Sequence, residues 1–174
     1  KNNKLIQRVH PCMVRKDSYI SNINGVLNAI IIEGNPIGKF TIQGEGAGPG
    51  PTTSSLVSDI CSILRGNIKV PFATPNKNRK KITSLDISDE SFSSYIRLDV
   101  IDKTGVLSSI TKILSKNKVS VKRLIQNPFK SKSFSSIIIV SHKAKNSHLV
   151  RSINELSKKK FIINKPKFFR IEQI

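Results

Sequence analysis

The chain has 174 residues, of which 37% are hydrophobic, so it can build one ordinary domain or two small ones around packed cores. No apolar run is long enough to span a bilayer, and Cys12 and Cys61 form neither a metal-ligand pair nor a disulfide framework, which is typical of a reducing compartment. The net charge of +19 comes from Lys and Arg spread along the chain without interleaved aromatic residues. We therefore expect no nucleic-acid partner and no membrane partner.

Residues 1–66 have the pattern of a small α/β piece. A short strand is predicted at 8–14, followed by a β-hairpin of strands at 28–34 and 39–44. Apolar residues then recur with helical spacing, and Gly66 suits the end of that helix.

A glycine- and proline-rich segment, "TIQGEGAGPGP", lies between the hairpin and the helix. Its glycines leave the main chain bare, and a helix N-terminus follows, which favours anions or polar carbonyls. The spacing fits neither G-x-G-x-x-G nor a P-loop. From the residues alone, a structural turn and a ligand-facing loop remain equally open.

Residues 67–93 lack periodicity and hold prolines, a basic run and a Ser-rich stretch, so we predict a linker. From 94 to 174 the order is strand, helix, strand, strand, helix, strand. This order predicts a ferredoxin-like sandwich. The predicted strands are 95–100, 119–126, 134–142 and 168–174.

Polar residues mark the starts of the two helices in this region. Asp102 or Thr104 is predicted to cap the first helix, and Asn146 the second. Gly105 lies where the first strand passes into a helix, so a ligand carboxylate could dock there, although from this stretch alone a plain tight turn explains the residue somewhat better. The predicted inward faces are Leu107, Ile110, Ile113 and Leu114 in the first helix, and Leu149, Val150, Ile153 and Leu156 in the second.

The histidines do not form a metal site in the sequence. His10, His142 and His148 lie at no metal-ligand spacing, and there is no G-x-S-x-G nucleophile motif. We therefore predict no metal.

Four stretches taken together resemble the C-terminal half of homoserine dehydrogenases. They are "RVHPCMV", "NINGVLNAIIIEGNPIG" with "QGEGAGPGPTTSSLVSDI", and "YIRLDVIDKTGVLSSITKIL". The last unit resembles an ACT domain, a small-molecule sensor. The resemblance implies an α/β (α+β) chain, with the C-terminal portion of the catalytic domain at 1–66, a linker at 67–93 and an ACT-like regulatory domain at 94–174.

This resemblance implies an oxidoreductase that interconverts aspartate 4-semialdehyde and homoserine with NADP or NAD, on the route to threonine and methionine. Gly48 matches the family's cofactor-contacting position, with Gly46 as its neighbour. The family's Rossmann domain and proton-donating lysine have no match here. We therefore expect a truncated enzyme, inactive alone, with no catalytic residue in this chain.

An ACT domain further implies an amino-acid effector, most plausibly threonine. The candidate contacts are Asp102, Gly105, Val106 and Leu107, with Ile125 and Gln126 as partners. ACT domains commonly pair edge to edge, so we expect a homo-oligomer, most simply a dimer. We expect the protein in the cytoplasm.

Two other functions compete with this interpretation. One is a free-standing ACT-type regulator that binds an amino acid. The other is an RNA-binding module, since the same element order occurs in that fold, but such modules stack bases on aromatic residues of central strands. The third strand here reads "SSIIIVS" and has none.

Overall fold

The computed structural model describes residues 4–67, 75–79, 81–128 and 134–172. These residues divide into two compact units. The sheet unit comprises the chain up to Val14 and again from Ile82 onward, and the hairpin unit comprises Arg15–Lys81. The predicted domain boundaries at 66 and 94 differ from this division and remain a prediction about the family's domains.

The hairpin unit contains the predicted hairpin. Strand β3 (Leu27–Gly34) pairs antiparallel with β4 (Gly38–Glu45), from Leu27 opposite Glu45 to Gly34 opposite Gly38. Helix α1 follows at Pro49–Leu64.

Within the described residues, the helix of the hairpin unit has no buried side chain. The aliphatic residues of α1 that recur with helical spacing are 52–81% exposed. Ile30, Ile32 and Ile42 of the hairpin are 44–61% exposed. Strand pairing and the helix's own hydrogen bonds, not a packed core, therefore define this unit.

The sheet unit has the predicted strand and helix order. Its elements are β6 (Ser91–Ile101), α2 (Val106–Lys116), β7 (Val121–Pro128), β8 (Phe134–Ser141), α3 (Asn146–Ser157) and β10 (Lys167–Ile171). The sheet order β10-β6-β8-β7 is antiparallel throughout. The ferredoxin-like fold is confirmed.

Four two-residue strands extend this unit. β2 (Cys12–Met13) lies parallel to β10, and β9 (Ala144–Lys145) pairs with the start of β6. β1 (Lys4–Leu5) pairs in parallel with β5 (Thr83–Ser84). The predicted strand at 8–14 is thus real but short, and it belongs to this sheet.

The core lies between the sheet and its two helices. On β6, alternate residues from Phe92 to Val100 are at most 7% exposed, as the period-two pattern predicts. Facing them are apolar side chains of α2, β8 and α3. Those buried to 1% exposure or less are Ile110, Leu114, Ile137, Ile139, Leu149 and Leu156. Each such burial contributes about 1.5–3 kcal/mol.

The structure corrects the predicted caps and one residue on each helix face. Gly105, in a left-handed conformation at φ 86°, is the N-cap of α2, so neither Asp102 nor Thr104 caps it. Asn146 is the first residue of α3, and Lys145 precedes it as the N-cap. Leu107 is 38% exposed because it lies in the first turn of α2, and Val150 is 40% exposed.

Among the described residues, no helix has the length and hydropathy needed to cross a bilayer.

The contrast between the units gives a matched test. Leu114→Ala should lower the free energy of unfolding of the sheet unit by about 3 kcal/mol, because the side chain is fully buried. Leu64→Ala, at an 81% exposed helix position, should change stability by less than about 0.5 kcal/mol. Urea unfolding followed by circular dichroism measures both. A comparable loss at Leu64 would contradict the exposure of α1.

Candidate functional site

A cleft of about 290 Å³ opens at the end of β6, where the chain turns into α2. Its walls come from the β6–α2 turn and the facing strands β7 and β8. The lining residues are Val100, Ile101, Asp102, Lys103, Thr104, Gly105, Val106, Leu107, Gln126, Ser135 and Ile137. We call it the effector cleft, because it contains five of the six residues that the sequence analysis predicted to contact an effector.

Local hydrogen bonds set the turn that forms one wall. The Lys103 N–H donates to the Ile101 carbonyl at 3.1 Å, and the Val106 N–H donates to the Lys103 carbonyl at 3.3 Å. Gly105 has φ 86°, which strains any residue with a Cβ. Its glycine is therefore explained by the backbone path, and the turn aims the start of α2 at the cleft.

A polar contact crosses the cleft. The Gln126 Nε2 donates to the Asp102 Oδ1 at 3.4 Å and to the Ser135 Oγ at 3.3 Å. The Asp102 carboxylate thus lies near the positive end of α2, whose first N–H groups favour anions. A carboxylate and a helix N-terminus in one small cleft suit a zwitterion, with its ammonium on the first and its carboxylate at the second.

The structure brings together five of the six predicted effector contacts. Asp102, Gly105, Val106, Leu107 and Gln126 all line the cleft. Ile125 does not line it. Because neighbouring side chains on a strand point to opposite faces, Ile125 faces away from Gln126 and is 41% exposed.

Sequence reasoning missed Ser135, which is fully buried and hydrogen-bonded to Gln126. The available signal was a serine at the start of an otherwise apolar central strand. A buried hydroxyl needs a partner, which points to a polar wall at that position.

The second candidate site is the glycine-rich segment before α1. The Gly46 N–H donates to the Val26 carbonyl at 3.0 Å. A Cβ on Gly46 would lie 1.6 Å from Asn28 Nδ2. Close packing against β3 therefore explains this glycine without a ligand.

Gly48 lies in a different environment. It is the N-cap of α1 with φ 120°, and a Cβ there would meet only the Pro51 Cδ, at 3.7 Å. Pro49 and Pro51 have no N–H, so of the first three helical positions only Gly50 offers a donor. This N-terminus thus offers few N–H groups to an anion, which agrees with the lack of a standard phosphate-loop motif in the sequence.

In the ranges the structure covers, no three His, Cys, Asp or Glu side chains group together in a way that could hold a metal ion.

Two family models match the chain, and their bounds differ from those of the two structural units. Residues 3–61 match the homoserine dehydrogenase model, and residues 94–160 match the ACT domain model. Homoserine dehydrogenase from Helicobacter pylori is 31% identical over 95% of the chain, which spans 39% of that protein. The chain is similar to the C-terminal part of homoserine dehydrogenases.

Further homoserine dehydrogenases support the same match. The Pseudomonas aeruginosa protein is 26% identical over 96% of the chain. A solved homoserine dehydrogenase from Thiobacillus denitrificans is 25% identical, with a TM-score of 0.83 over 99% of the chain and 40% of that structure. The chain spans about two fifths of the length of these homoserine dehydrogenases.

The packing role of Gly46 can be separated from a ligand role. Gly46→Ala should raise amide hydrogen exchange at position 46 about fivefold, because the new methyl group must displace Asn28. The exchange rate is measured by mass spectrometry. Gly44→Ala is the control, since a Cβ there meets nothing within 4 Å. An Asn28→Ala background should abolish the effect, and a persisting effect would contradict the clash.

Proposed function

We propose that this chain is the C-terminal portion of an NAD(P)-dependent homoserine dehydrogenase, which interconverts aspartate 4-semialdehyde and homoserine. The homoserine dehydrogenase match over residues 3–61 carries this proposal. The cofactor supplies the hydride chemistry. The chain itself supplies no catalytic residue and does not catalyse the reaction alone.

The contribution of this chain to catalysis is a bare stretch of main chain. Gly48 combines a positive φ with a bare Cα, and a Cβ there would meet only the Pro51 Cδ at 3.7 Å, so a flat ring can approach the backbone. The nicotinamide ring of the cofactor is flat, and it is uncharged in the reduced form, NADPH or NADH. Gly46, two residues earlier, packs closely against Asn28.

The regulatory contribution is amino-acid binding in the effector cleft. The ligand's ammonium pairs with Asp102, and its carboxylate meets N–H groups of the first turn of α2 that follow Val106, whose own N–H donates to Lys103. Threonine, as an end product of the pathway, is the effector that this proposal names. Gln126 holds Asp102 in place through its 3.4 Å hydrogen bond.

The free edge of the sheet supports a dimer. β2 covers β10, whereas β7 ends the strand order, with no partner on its outer edge among the described strands. A second copy can pair along β7 and continue the sheet. We place this dimer in the cytoplasm, with the pathway to threonine and methionine.

One observation favours a second candidate, the free-standing amino-acid-binding regulator. The sheet unit has a packed core, whereas helix α1 of the hairpin unit buries none of its side chains. A protein whose function needed only the ACT-like unit would show the same contrast.

The activity of a chimera tests the catalytic proposal and distinguishes the homoserine dehydrogenase from the free-standing regulator. This chain replaces the matching C-terminal segment of the Helicobacter pylori homoserine dehydrogenase, and homoserine-dependent reduction of NADP or NAD is followed by nicotinamide absorbance. The chimera should be active, and Gly48→Ala should lower kcat/KM by about tenfold or more, because misplaced reactants react slowly.

Gly66→Ala is the matched control for this chimera, since Gly66 also has a positive φ, 72°, but lies beyond the other end of α1. A folded chimera without activity would contradict the enzyme proposal. Equal activity of the two alanine variants would contradict the role of Gly48.

Calorimetry tests the effector cleft. The chain should bind threonine, and Asp102→Asn should weaken binding by about tenfold, because a charge-assisted contact to the ammonium is lost. Asp89→Asn is the control, since Asp89 is an aspartate of the same unit with an ion pair to Lys145 and no place in the cleft. Equal affinities of the two variants would place the ligand elsewhere.

A further inference from the structure

The hairpin unit is inserted in the chain between paired strands of the sheet unit. β2 ends at Met13, just before the hairpin unit begins, and β5 starts at Thr83, just after it ends. β2 pairs with β10 and β5 pairs with β1. At each end of the hairpin unit, the chain therefore continues into a strand that is hydrogen-bonded within the sheet unit.

The first of these anchors is attached to the last strand of the sheet. Cys12 lies opposite Arg170 and Met13 opposite Ile171. The Glu172 N–H then donates to the Met13 carbonyl at 2.9 Å. We call residues 4–14 the tether.

Arg8 holds the tether by two kinds of contact. Its guanidinium carbon lies 4.7 Å from the centre of the Phe92 ring, and its Nη2 lies 3.2 Å from the Glu172 Oε1. Arg170 lies over the same ring at 5.4 Å. Phe92 is only 7% exposed, so the ring is a fixed platform for both cations.

The Glu172 carboxylate makes Arg8 hard to replace. Its Oε1 is buried and accepts no hydrogen bond from any described residue, so the nearby positive charge is its compensation. Among the residues that the structure describes, the other basic group within 4 Å of this oxygen is the His10 ring, whose Nε2 is 3.9 Å away. Removal of Arg8 therefore leaves a buried carboxylate oxygen poorly compensated.

The Phe92 ring and the effector cleft lie at opposite ends of β6. Phe92 is the second residue of this strand, and the last two, Val100 and Ile101, line the cleft. β6 pairs with β9 at Ser91 and Phe92, with β10 from Ser93 to Arg97 and with β8 from Tyr95 to Ile101. A change at one end of this strand cannot be absorbed freely between them, because the buried face is close-packed.

We propose that the tether is a regulatory device: a ligand in the effector cleft favours the docked tether, from which the chain runs directly into the unit that carries Gly46 and Gly48. The two states are the tether docked on β10 and the tether released. The proposal rests on the proposed effector function. Coupling between two sites is reciprocal, so loosening the tether must also loosen the cleft.

Hydrogen exchange on the ligand-free chain tests this reciprocity. Arg8→Gln should raise exchange of the Glu172 amide about fivefold, the loss expected from one ion pair and one cation–π contact. The Val106 and Ser109 amides, which are hydrogen-bonded in the turn beside the cleft, should speed up as well. Arg15→Gln is the control, because it removes an exposed arginine–aspartate pair outside the tether.

Each outcome decides the proposal. A faster Glu172 amide with unchanged Val106 and Ser109 amides overturns the coupling, and an unchanged Glu172 amide overturns the tether. If Arg8→Gln unfolds the chain, Arg8→Lys keeps the charge but loses the flat contact with Phe92, and the same amides are read. Threonine calorimetry on the unaltered chain is separate: absence of heat overturns the effector, while the exchange rates still decide the tether.

Discussion

Burial of one face of β6 is the constraint on which the sheet unit depends. Ile96, Leu98 and Val100 are at most 1% exposed between the two helices and the neighbouring strands. The alternation leaves the other face of β6 half-buried and fixes the strand's register against β8 and β10. The Phe92 ring then lies near the start of β6, and the cleft lies at its end.

The two glycine-bearing turns differ in why they need glycine. Gly105 is required by a left-handed backbone and Gly46 by the side chain of Asn28, so neither needs a ligand to explain it. Gly48 has a positive φ, and prolines on either side of Gly50 remove N–H groups that would attract phosphate. The proposed contact with the cofactor's ring therefore rests on Gly48.

Periodicity in the sequence was sufficient to predict the ferredoxin-like order and most of the buried positions. Alternation identified β6, and helical spacing identified Ile110, Ile113 and Leu114. Both patterns are local, and the core enforces them strongly, so a single sequence reveals them.

Features that depend on distant parts of the chain were not predictable in the same way. The strand pairing of Cys12 with Arg170 joins residues far apart in sequence, and no residue pattern near Cys12 predicts it. The predicted helix caps were wrong for a different reason. Asp102 and Thr104 are both good capping residues, but the turn continues to the left-handed Gly105, which follows Thr104 and is the N-cap. The hydrogen bond of Ser135 to Gln126 likewise needed the pairing of β7 with β8.

The coverage of β10 by β2 also bears on solubility. A strand at the end of a sheet offers unpaired N–H and C=O groups to any other chain, and proteins commonly shield such strands. The ACT domain match begins at residue 94, yet the residues that shield β10 lie more than eighty positions earlier, at Cys12–Met13. An isolated piece that begins at residue 94 and still contains β10 would keep its buried core. It would expose the backbone of β10 that β2 covers, together with the outer edge of β7, and so would be prone to aggregate.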